Sequence, residues 1–261
     1  SSLAAFAGEP STSSWRVPLR MTQPAAGGMG FARPASATER AAIPRLYASA
    51  GGIAAVPPSS QLLLSGVHVL PASSERMGGG GSLLSCTGGS MPRERSSIEL
   101  NRAYLQGFSL GGSTSLVALT ACDVRLRQSV FSGVTTQQGS FIAADTFATM
   151  QLQEVTFSDM RHLDESVLLS GASQLALAAV HWMNVSSASS SPLRLAGGSA
   201  ASITGAALVE GMQAHGPEAS GGWAQLSDSS LMLNATGGIV VAGCAAASGG
   251  AVALQASTLH G

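Results

Sequence analysis

The stretch Val124-Arg-Leu126-Arg-Gln-Ser129-Val-Phe131-Ser-Gly133-Val134 is a phrase that this chain repeats at nearly constant intervals. Residues 150–160 and 175–185 carry the same pattern of apolar positions, and weaker copies begin at Ile98, Ala201 and Leu231. The steps from one central leucine or isoleucine to the next are 26, 26, 25, 26 and 30, through Leu100, Leu126, Leu152, Leu177, Ile203 and Leu233. A fixed period of this size predicts a stacked repeat architecture.

The spacing within the phrase favours strands over a helix. Apolar residues at i, i+2, i+5, i+7 and i+10 do not lie on one stripe of a helix, but they fit short strands that turn a corner. A second apolar run precedes each phrase by about ten residues, as in Leu116–Leu119 and Phe141–Ala144. Since one coil has no opposing layer, it buries its apolar side chains only by stacking on the next coil. We therefore expect one inward ladder of the six central residues, and a second of Leu105, Phe131, Phe157, Trp182 and Leu208.

A third recurrence marks a corner of the coil. Two residues after the aromatic position stand Gly107, Gly133, Asp159 and Asn184, with Glu210-Gly211 in the irregular copy. Glycine, asparagine and aspartate tolerate a left-handed backbone better than other residues. The pattern predicts a bend at the same corner of every coil.

These features resemble a known superfamily. The corners Phe131-Ser-Gly-Val134 and Phe157-Ser-Asp-Met160, the strand entry Gly249-Gly-Ala-Val252 and the 26-residue period resemble the pectin-lyase-like right-handed parallel β-helices. They are also similar to the repeats of polymorphic outer-membrane and autotransporter passenger proteins. The resemblance covers about residues 61–261 and implies an all-β, right-handed, single-stranded parallel β-helix. It leaves the activity open, because the superfamily includes lyases, hydrolases, adhesins and inert scaffolds.

Residues 1–60 differ in composition from the rest. Prolines at 10, 18, 24, 34, 44, 57 and 58 interrupt any period, which predicts an irregular N-terminal arm or cap with short strands near Trp15–Leu19 and Ile53–Val56. The solenoid is expected over 61–261. Val252–Leu254 looks like the opening strand of a further coil, so we expect the β-helix to continue beyond this fragment.

Composition excludes several functions. A net charge of −1 gives no electrostatic reason to expect nucleic acid or an anionic bilayer as a partner. No apolar run reaches eighteen residues, so no membrane span is predicted, and the absence of lysine excludes Schiff-base and phosphate-loop lysine chemistry. Cys86, Cys122 and Cys244 form no C-x-x-C pair, and we interpret them as small buried hydrophobic residues, in preference to a disulfide.

Variable loops are expected to follow each phrase and to line one side of the coil, where a protein or glycan partner would bind. The expected loops are Ser109–Thr114, Thr135–Ser140, Arg161–Ser166, Ser186–Pro192, Gln213–Gly222 and Ala242–Gly250. One loop carries a dense polar set: Arg161, His162, Asp164 and Glu165. A catalytic interpretation makes Asp164 or Glu165 the acid or base and Arg161 the ligand of an anionic sugar; a solvated turn with an arginine–carboxylate contact is the favoured interpretation.

Carboxylates do not recur at one register. In the pectate-lyase and polygalacturonase relatives, aspartates cluster on adjacent coils, whereas Asp123, Asp145, Asp159 and Asp228 fall at different positions of the period. No metal site and no cofactor are predicted. The five histidines are dispersed along the chain; His181 is expected to face outward from its strand, and His215 to lie at the surface.

Two N-x-S/T sequons, at Asn184 and Asn234, are glycosylation candidates, although Asn184 also serves as a corner residue.

The leading prediction is a non-catalytic structural or interaction module, a rigid β-helix rod in an extracellular, cell-surface or filamentous assembly. The alternatives are a polysaccharide-active lyase or hydrolase, and an intracellular scaffold in a cytoskeletal complex.

Overall fold

The computed structural model describes residues 45–48, 54–56, 58–71, 82–89, 95–113, 115–162, 165–187, 191–215, 221–234, 238–247 and 250–261. Within these ranges every regular element is a β-strand, and no helix is present. The strands are β1 Arg45–Ala48, β2 Ala54–Val56, β3 Gln61–Ser65, β4 His68–Pro71, β5 Leu84–Thr87, β6 Ser96–Asn101, β7 Tyr104–Gln106, β8 Ser109–Ser113, β9 Val117–Thr120, β10 Cys122–Arg127, β11 Val130–Ser132, β12 Thr135–Gln138, β13 Ile142–Asp145, β14 Thr149–His162, β15 Val167–Leu169, β16 Gln174–Ser187, β17 Leu193–Leu195, β18 Ala200–Ile203, β19 Ala207–Glu210, β20 Gln213–Ala214, β21 Ala224–Ser227, β22 Ser230–Leu233, β23 Ile239–Ala242, β24 Val252–Gln255 and β25 Thr258–His260.

The strands form two parallel sheets that wind together as a β-solenoid. The eight-stranded sheet takes one short strand from each coil, in the order β2, β5, β9, β13, β15, β17, β21 and β24. The remaining seventeen strands form one sheet that bends twice around the coil. We call its first face, which includes β3, β6, β10, β18, β22, β25 and the start of β14 and β16, the leucine face. The second face, which includes β4, β7, β11, β19, β23 and the middle of β14 and β16, is the aromatic face.

The leucine ladder has the predicted register. Leu126 is paired with Leu100 on one side and Leu152 on the other, and the alignment continues through Leu177, Ile203 and Leu233. Leu64 adds a further rung below Leu100. The prediction of an all-β solenoid with one phrase per coil is therefore confirmed, because the register partners occupy the positions that the sequence repeat assigned to them.

The aromatic ladder has the predicted register in four of its five residues. Leu105, Phe131, Phe157 and Trp182 align rung by rung. Phe157 lies parallel to Phe131 at a centroid distance of 5.4 Å, and to Trp182 at 5.7 Å. The assignment of Leu208 to this ladder is wrong, because Val209 is the register partner of Trp182.

One extra residue explains the error at Leu208. Trp182 stands five positions after Leu177, whereas Val209 stands six positions after Ile203, so the next strand starts one position late. Val209 is fully buried, and Leu208 lies on the opposite face of the strand, beside His181. A shift of one residue moves a side chain to the other face of a sheet, because side chains alternate along a strand.

The corner predicted from small residues is left-handed. Gly107, Gly133, Asp159 and Asn184 have φ angles of 76°, 62°, 52° and 51°, and Gly211 continues the series at 64°. A second left-handed corner, which the sequence did not reveal, lies between the leucine and aromatic faces at Arg102, Gln128, Glu154 and Ala179.

The interpretation of Cys86 and Cys122 as unpaired residues is wrong. They form a disulfide with a Cα–Cα distance of 6.2 Å. Cys86 lies in β5, whereas Cys122 opens β10 in the following coil, so the bond ties successive coils together. Cys244 is a free cysteine of intermediate burial.

Parallel pairing begins within the segment predicted as an arm, since β1 pairs with β4 and β2 with β5. The strand expected near Ile53–Val56 is present as β2, whereas residues 1–44, and with them Trp15–Leu19, lie outside the described residues. None of the elements described is a helix that could cross a membrane.

Candidate functional site

Two outward-facing side chains of the aromatic face are buried. Thr156 and Ser158 project to the side opposite Phe157, yet they are only 1% and 7% exposed. Residues in the same orientation on the leucine face, such as Gln151 and Gln153, are exposed. Thr156 lies between Val130 and His181 of the neighbouring coils, and Ser158 lies between Ser132 and Met183, so each short side chain is flanked by its register partners.

A groove opens at the corner that follows this face. It is lined by Gly133, Thr135, Asp159, Arg161 and Asn184, and we call it the corner groove. The left-handed residues form its bend, and the next strand segment supplies Thr135 and Arg161, which are register partners on adjacent coils. The long uninterrupted strands β14 and β16 hold this bend in place, since their pairing continues past it as far as Ser187.

Polar side chains in the corner groove are arranged by the repeat. The Asn184 amide Nδ2 donates a hydrogen bond to Asp159 Oδ1 at 3.2 Å, and both residues are exposed. Arg161 is also exposed and lies two residues beyond Asp159 on the same strand. The groove thus offers a guanidinium, a carboxylate, an amide and a hydroxyl. Such groups can hydrogen-bond sugar hydroxyls or a peptide backbone.

The structure separates the polar set predicted from the sequence. Arg161 lines the corner groove, but Glu165 is buried and forms no part of it. Glu165 Oε1 accepts a hydrogen bond from Arg194 Nη1 at 2.9 Å, and Oε2 accepts one from Ser140 Oγ at the same distance. A buried carboxylate requires such partners. The role of Glu165 is therefore to connect adjacent coils, and the hypothesis that it acts as an acid or base is not supported by its position.

The other two members of that set are described incompletely. The backbone of His162 ends β14 and pairs with Ser187, and Asp164 lies outside the described residues. Parts of the segments that were expected to be loops are strands in the structure. These strands are Ser109–Ser113, Thr135–Gln138 and Gln213–Ala214. The distal parts of most of these loops lie outside the described residues.

His181 faces outward, as predicted, next to the extra residue of the irregular coil. Its Nε2 lies 3.9 Å from Glu210 Oε2 on the following coil. Burial lowers the pKa of His181 below its ordinary value, and the neighbouring Glu210 carboxylate opposes this effect. The imidazole is therefore held towards its neutral form.

The sequon asparagines are both exposed. Asn184 lies within β16, and Ser186 of its sequon pairs with Arg161 and Gln213. Asn234 follows β22, and its backbone N–H donates to Ile203 O at 2.9 Å; Ala235 and Thr236 of its sequon lie outside the described residues.

Sequence reasoning missed the groove residues Thr135 and Asp159 as binding groups. The sequence pattern contained this information, because Asp159 belonged to the corner series and Thr135 occupies the same position of the period as Arg161 in the next coil.

In the described part of the chain, no three His, Cys, Asp or Glu side chains lie close enough to hold a metal ion.

No protein-family model, curated protein or solved structure matches this chain. The structure supports a parallel β-solenoid, and membership of the pectin-lyase-like superfamily stays a prediction.

Proposed function

We propose that this protein is a non-catalytic β-solenoid rod that presents the corner groove to a protein or glycan partner. The observation that carries the proposal is the arrangement of its ionisable groups. Glu165, one of the two carboxylates in the predicted catalytic loop, binds Arg194 and Ser140, while Asp159, Arg161 and Asn184 line an open groove. This arrangement suits recognition through hydrogen bonds more than acid–base chemistry, which requires a group poised against a reacting atom.

A cell-surface or extracellular location is part of the proposal. The Cys86–Cys122 disulfide supports it, because disulfides form and persist in oxidising compartments and are rare in the cytosol. The exposure of Asn184 and Asn234 is consistent with use as glycosylation sites. Mass spectrometry of the native protein for glycans at these two residues tests the location; an unmodified protein with reduced Cys86 and Cys122 would favour the intracellular scaffold.

Binding can be tested with the labelled chain on arrays of glycans and extracellular proteins. We expect Arg161→Gln to abolish a specific signal, because it removes the only charged donor among the described lining residues of the groove. Arg125→Gln is the matched control, since Arg125 is exposed on the leucine face, outside the groove. Signal that persists in Arg161→Gln would place the binding surface elsewhere.

The polysaccharide-active alternative has one observation in its favour, the presence of Asp159 and Arg161 in one groove. Incubation with polygalacturonate and calcium tests it by the release of unsaturated products. Products that disappear in Asp159→Asn or Asp164→Ala would replace the proposed function with a lyase.

A further inference from the structure

Phe147 is the most exposed large apolar side chain in the described part of the chain, and its backbone is left-handed. The side chain is 64% exposed, and the φ angles of Thr146 and Phe147 are 54° and 59°. A bulky residue rarely adopts this conformation, because its Cβ then crowds the following carbonyl oxygen. The aligned positions in the next two coils are Ala172 and Gly198, since the strands on both sides of this corner keep the same spacing. Of these three coils, only one therefore places a large side chain at the corner.

Several hydrogen bonds hold the Phe147 corner in its conformation. The Phe147 N–H donates to Gly171 O at 2.8 Å, and the Thr146 N–H donates to Asp145 Oδ1 at the same distance. Arg95 Nη2, from two coils below, donates to Phe147 O. A strained conformation persists only where its surroundings determine it, and such residues cluster at functional sites. The chain thus fixes the position of a side chain that contributes little burial to folding.

The positions that flank Phe147 carry hydrogen-bonding groups. On one side, the strand β13 ends at Asp145, whose Oδ1 accepts a hydrogen bond from Ser170 Oγ in the next coil at 2.9 Å. On the other side, the leucine face begins with Thr149 and, in the next coil, with its register partner Gln174. Asp145 and Gln174 are both exposed. Phe147 is therefore an aromatic group between two polar rows.

We propose that Phe147 is the stacking platform of a binding site for a neutral glycan. A pyranose ring has an apolar face of C–H groups and a rim of hydroxyls, so it fits an aromatic side chain that is flanked by hydrogen-bonding groups. The Asp145 carboxylate can accept hydrogen bonds from sugar hydroxyls, and its charge disfavours an acidic sugar.

A protein partner fits this corner less well than a sugar does. The centre of a protein interface is a desolvated apolar patch around its aromatic anchor. The other large apolar side chains that are exposed in the described residues all lie between positions 232 and 259, so none of them extends the surface at Phe147. The inference does not rest on the corner groove, which lies at another corner of the coil, and each proposal can stand without the other.

Affinity electrophoresis tests the proposal on this chain, in native gels that contain hydroxyethyl cellulose, xylan or galactomannan as the neutral polysaccharide. We expect at least one of them to retard the chain, and Phe147→Ala to raise the dissociation constant at least ~10-fold, whereas Phe147→Trp keeps the retardation. Arg161→Gln in the corner groove is the matched control and should not change it. Any retardation by polygalacturonate should not respond to Phe147→Ala.

Phe147→Gly provides a second measurement, which does not depend on the identity of the glycan. Glycine adopts a φ of 59° without strain, so this variant should unfold at a higher guanidinium concentration than the unmodified protein while it loses the retardation. A lower unfolding midpoint would mean that the phenylalanine stabilises the corner, and it would overturn the proposal. So would a chain that no neutral polysaccharide retards, which would leave Phe147 as an anchor for a protein, or retardation that persists in Phe147→Ala or disappears in Arg161→Gln.

Discussion

Truncation of Phe157 should reveal how strongly the aromatic ladder holds the coils together. Phe157 is fully buried in the middle of the ladder, and it contacts three aromatic rings. Phe131 and Trp182 stack on its two faces, and Phe141 meets it edge-on at a centroid distance of 5.8 Å. Phe157→Ala removes all three contacts and leaves a cavity between coils.

The expected magnitude follows from these contacts. Truncation of a buried phenylalanine to alanine typically costs about 3–5 kcal/mol, and Phe157 should lie in the upper half of this range because neighbouring coils cannot collapse independently. Phe157→Leu keeps most of the apolar volume but loses the ring contacts, each worth roughly 0.5–1.5 kcal/mol, so we expect about 2–3 kcal/mol.

Guanidinium unfolding followed by tryptophan fluorescence measures the loss, since Trp182 stacks directly on Phe157. Phe147→Ala is the control, because this exposed phenylalanine should change the free energy of unfolding by less than about 0.5 kcal/mol. The slope of the transition must be compared as well, since repeat proteins can unfold in parts. If Phe157→Ala costs less than about 1 kcal/mol, or no more than the Phe147 control, the ladder does not contribute as argued.

Three further predictions concern the disulfide, the corner and the half-buried histidine. The cysteines of the Cys86–Cys122 bond are 36 residues apart in sequence, and reduction of this bond should lower the free energy of unfolding by about 4 kcal/mol. A variant with alanine at both positions should not respond to reductant. An unchanged unfolding midpoint in the reduced native protein would contradict this prediction. Gly133→Val should cost about 2–3 kcal/mol in chemical unfolding because φ is 62° there, whereas Gly133→Asn should cost much less; equal losses would show that backbone conformation is not the cause. Burial lowers the pKa of His181 in the folded protein below its unfolded value of about 6.5, so the unfolded state binds more protons. The stability that this difference contributes is fully present above about pH 6.5, and it is lost as the pH falls towards the folded pKa. His181→Gln should therefore flatten the dependence of the thermal midpoint on pH, and an unchanged profile would exclude His181 as the source of that dependence.

The groove shows why a site is harder to predict than a fold. The sequence indicated Arg161 as a polar candidate, but it grouped Arg161 with Glu165 because the two are close along the chain. In the structure Glu165 is buried and binds Arg194, whereas Arg161 lines the groove together with residues of the coils on either side. Contacts between coils depend on register and on which way each residue points, and neighbouring positions along a strand point in opposite directions.

The sequence by itself determined the solenoid, its inward ladders and one of its corners. This was possible because parallel stacking places equivalent residues above one another, so that the same physical requirement recurs at a fixed spacing in the sequence. The recurrence of glycine, aspartate and asparagine predicted the corner at Gly133, because few other residues adopt a left-handed backbone at low cost. Tertiary structure alone decided the features that break or cross this period. The corner at Gln128 has no such residue signature, and one inserted residue placed Val209 inside the coil instead of Leu208. The two cysteines of the disulfide also do not occupy equivalent positions of the repeat. The register partner of Cys86 is Leu119, and Cys122 lies three residues beyond Leu119. The two sulfurs come together because the chain turns at Ala121, between the two sheets.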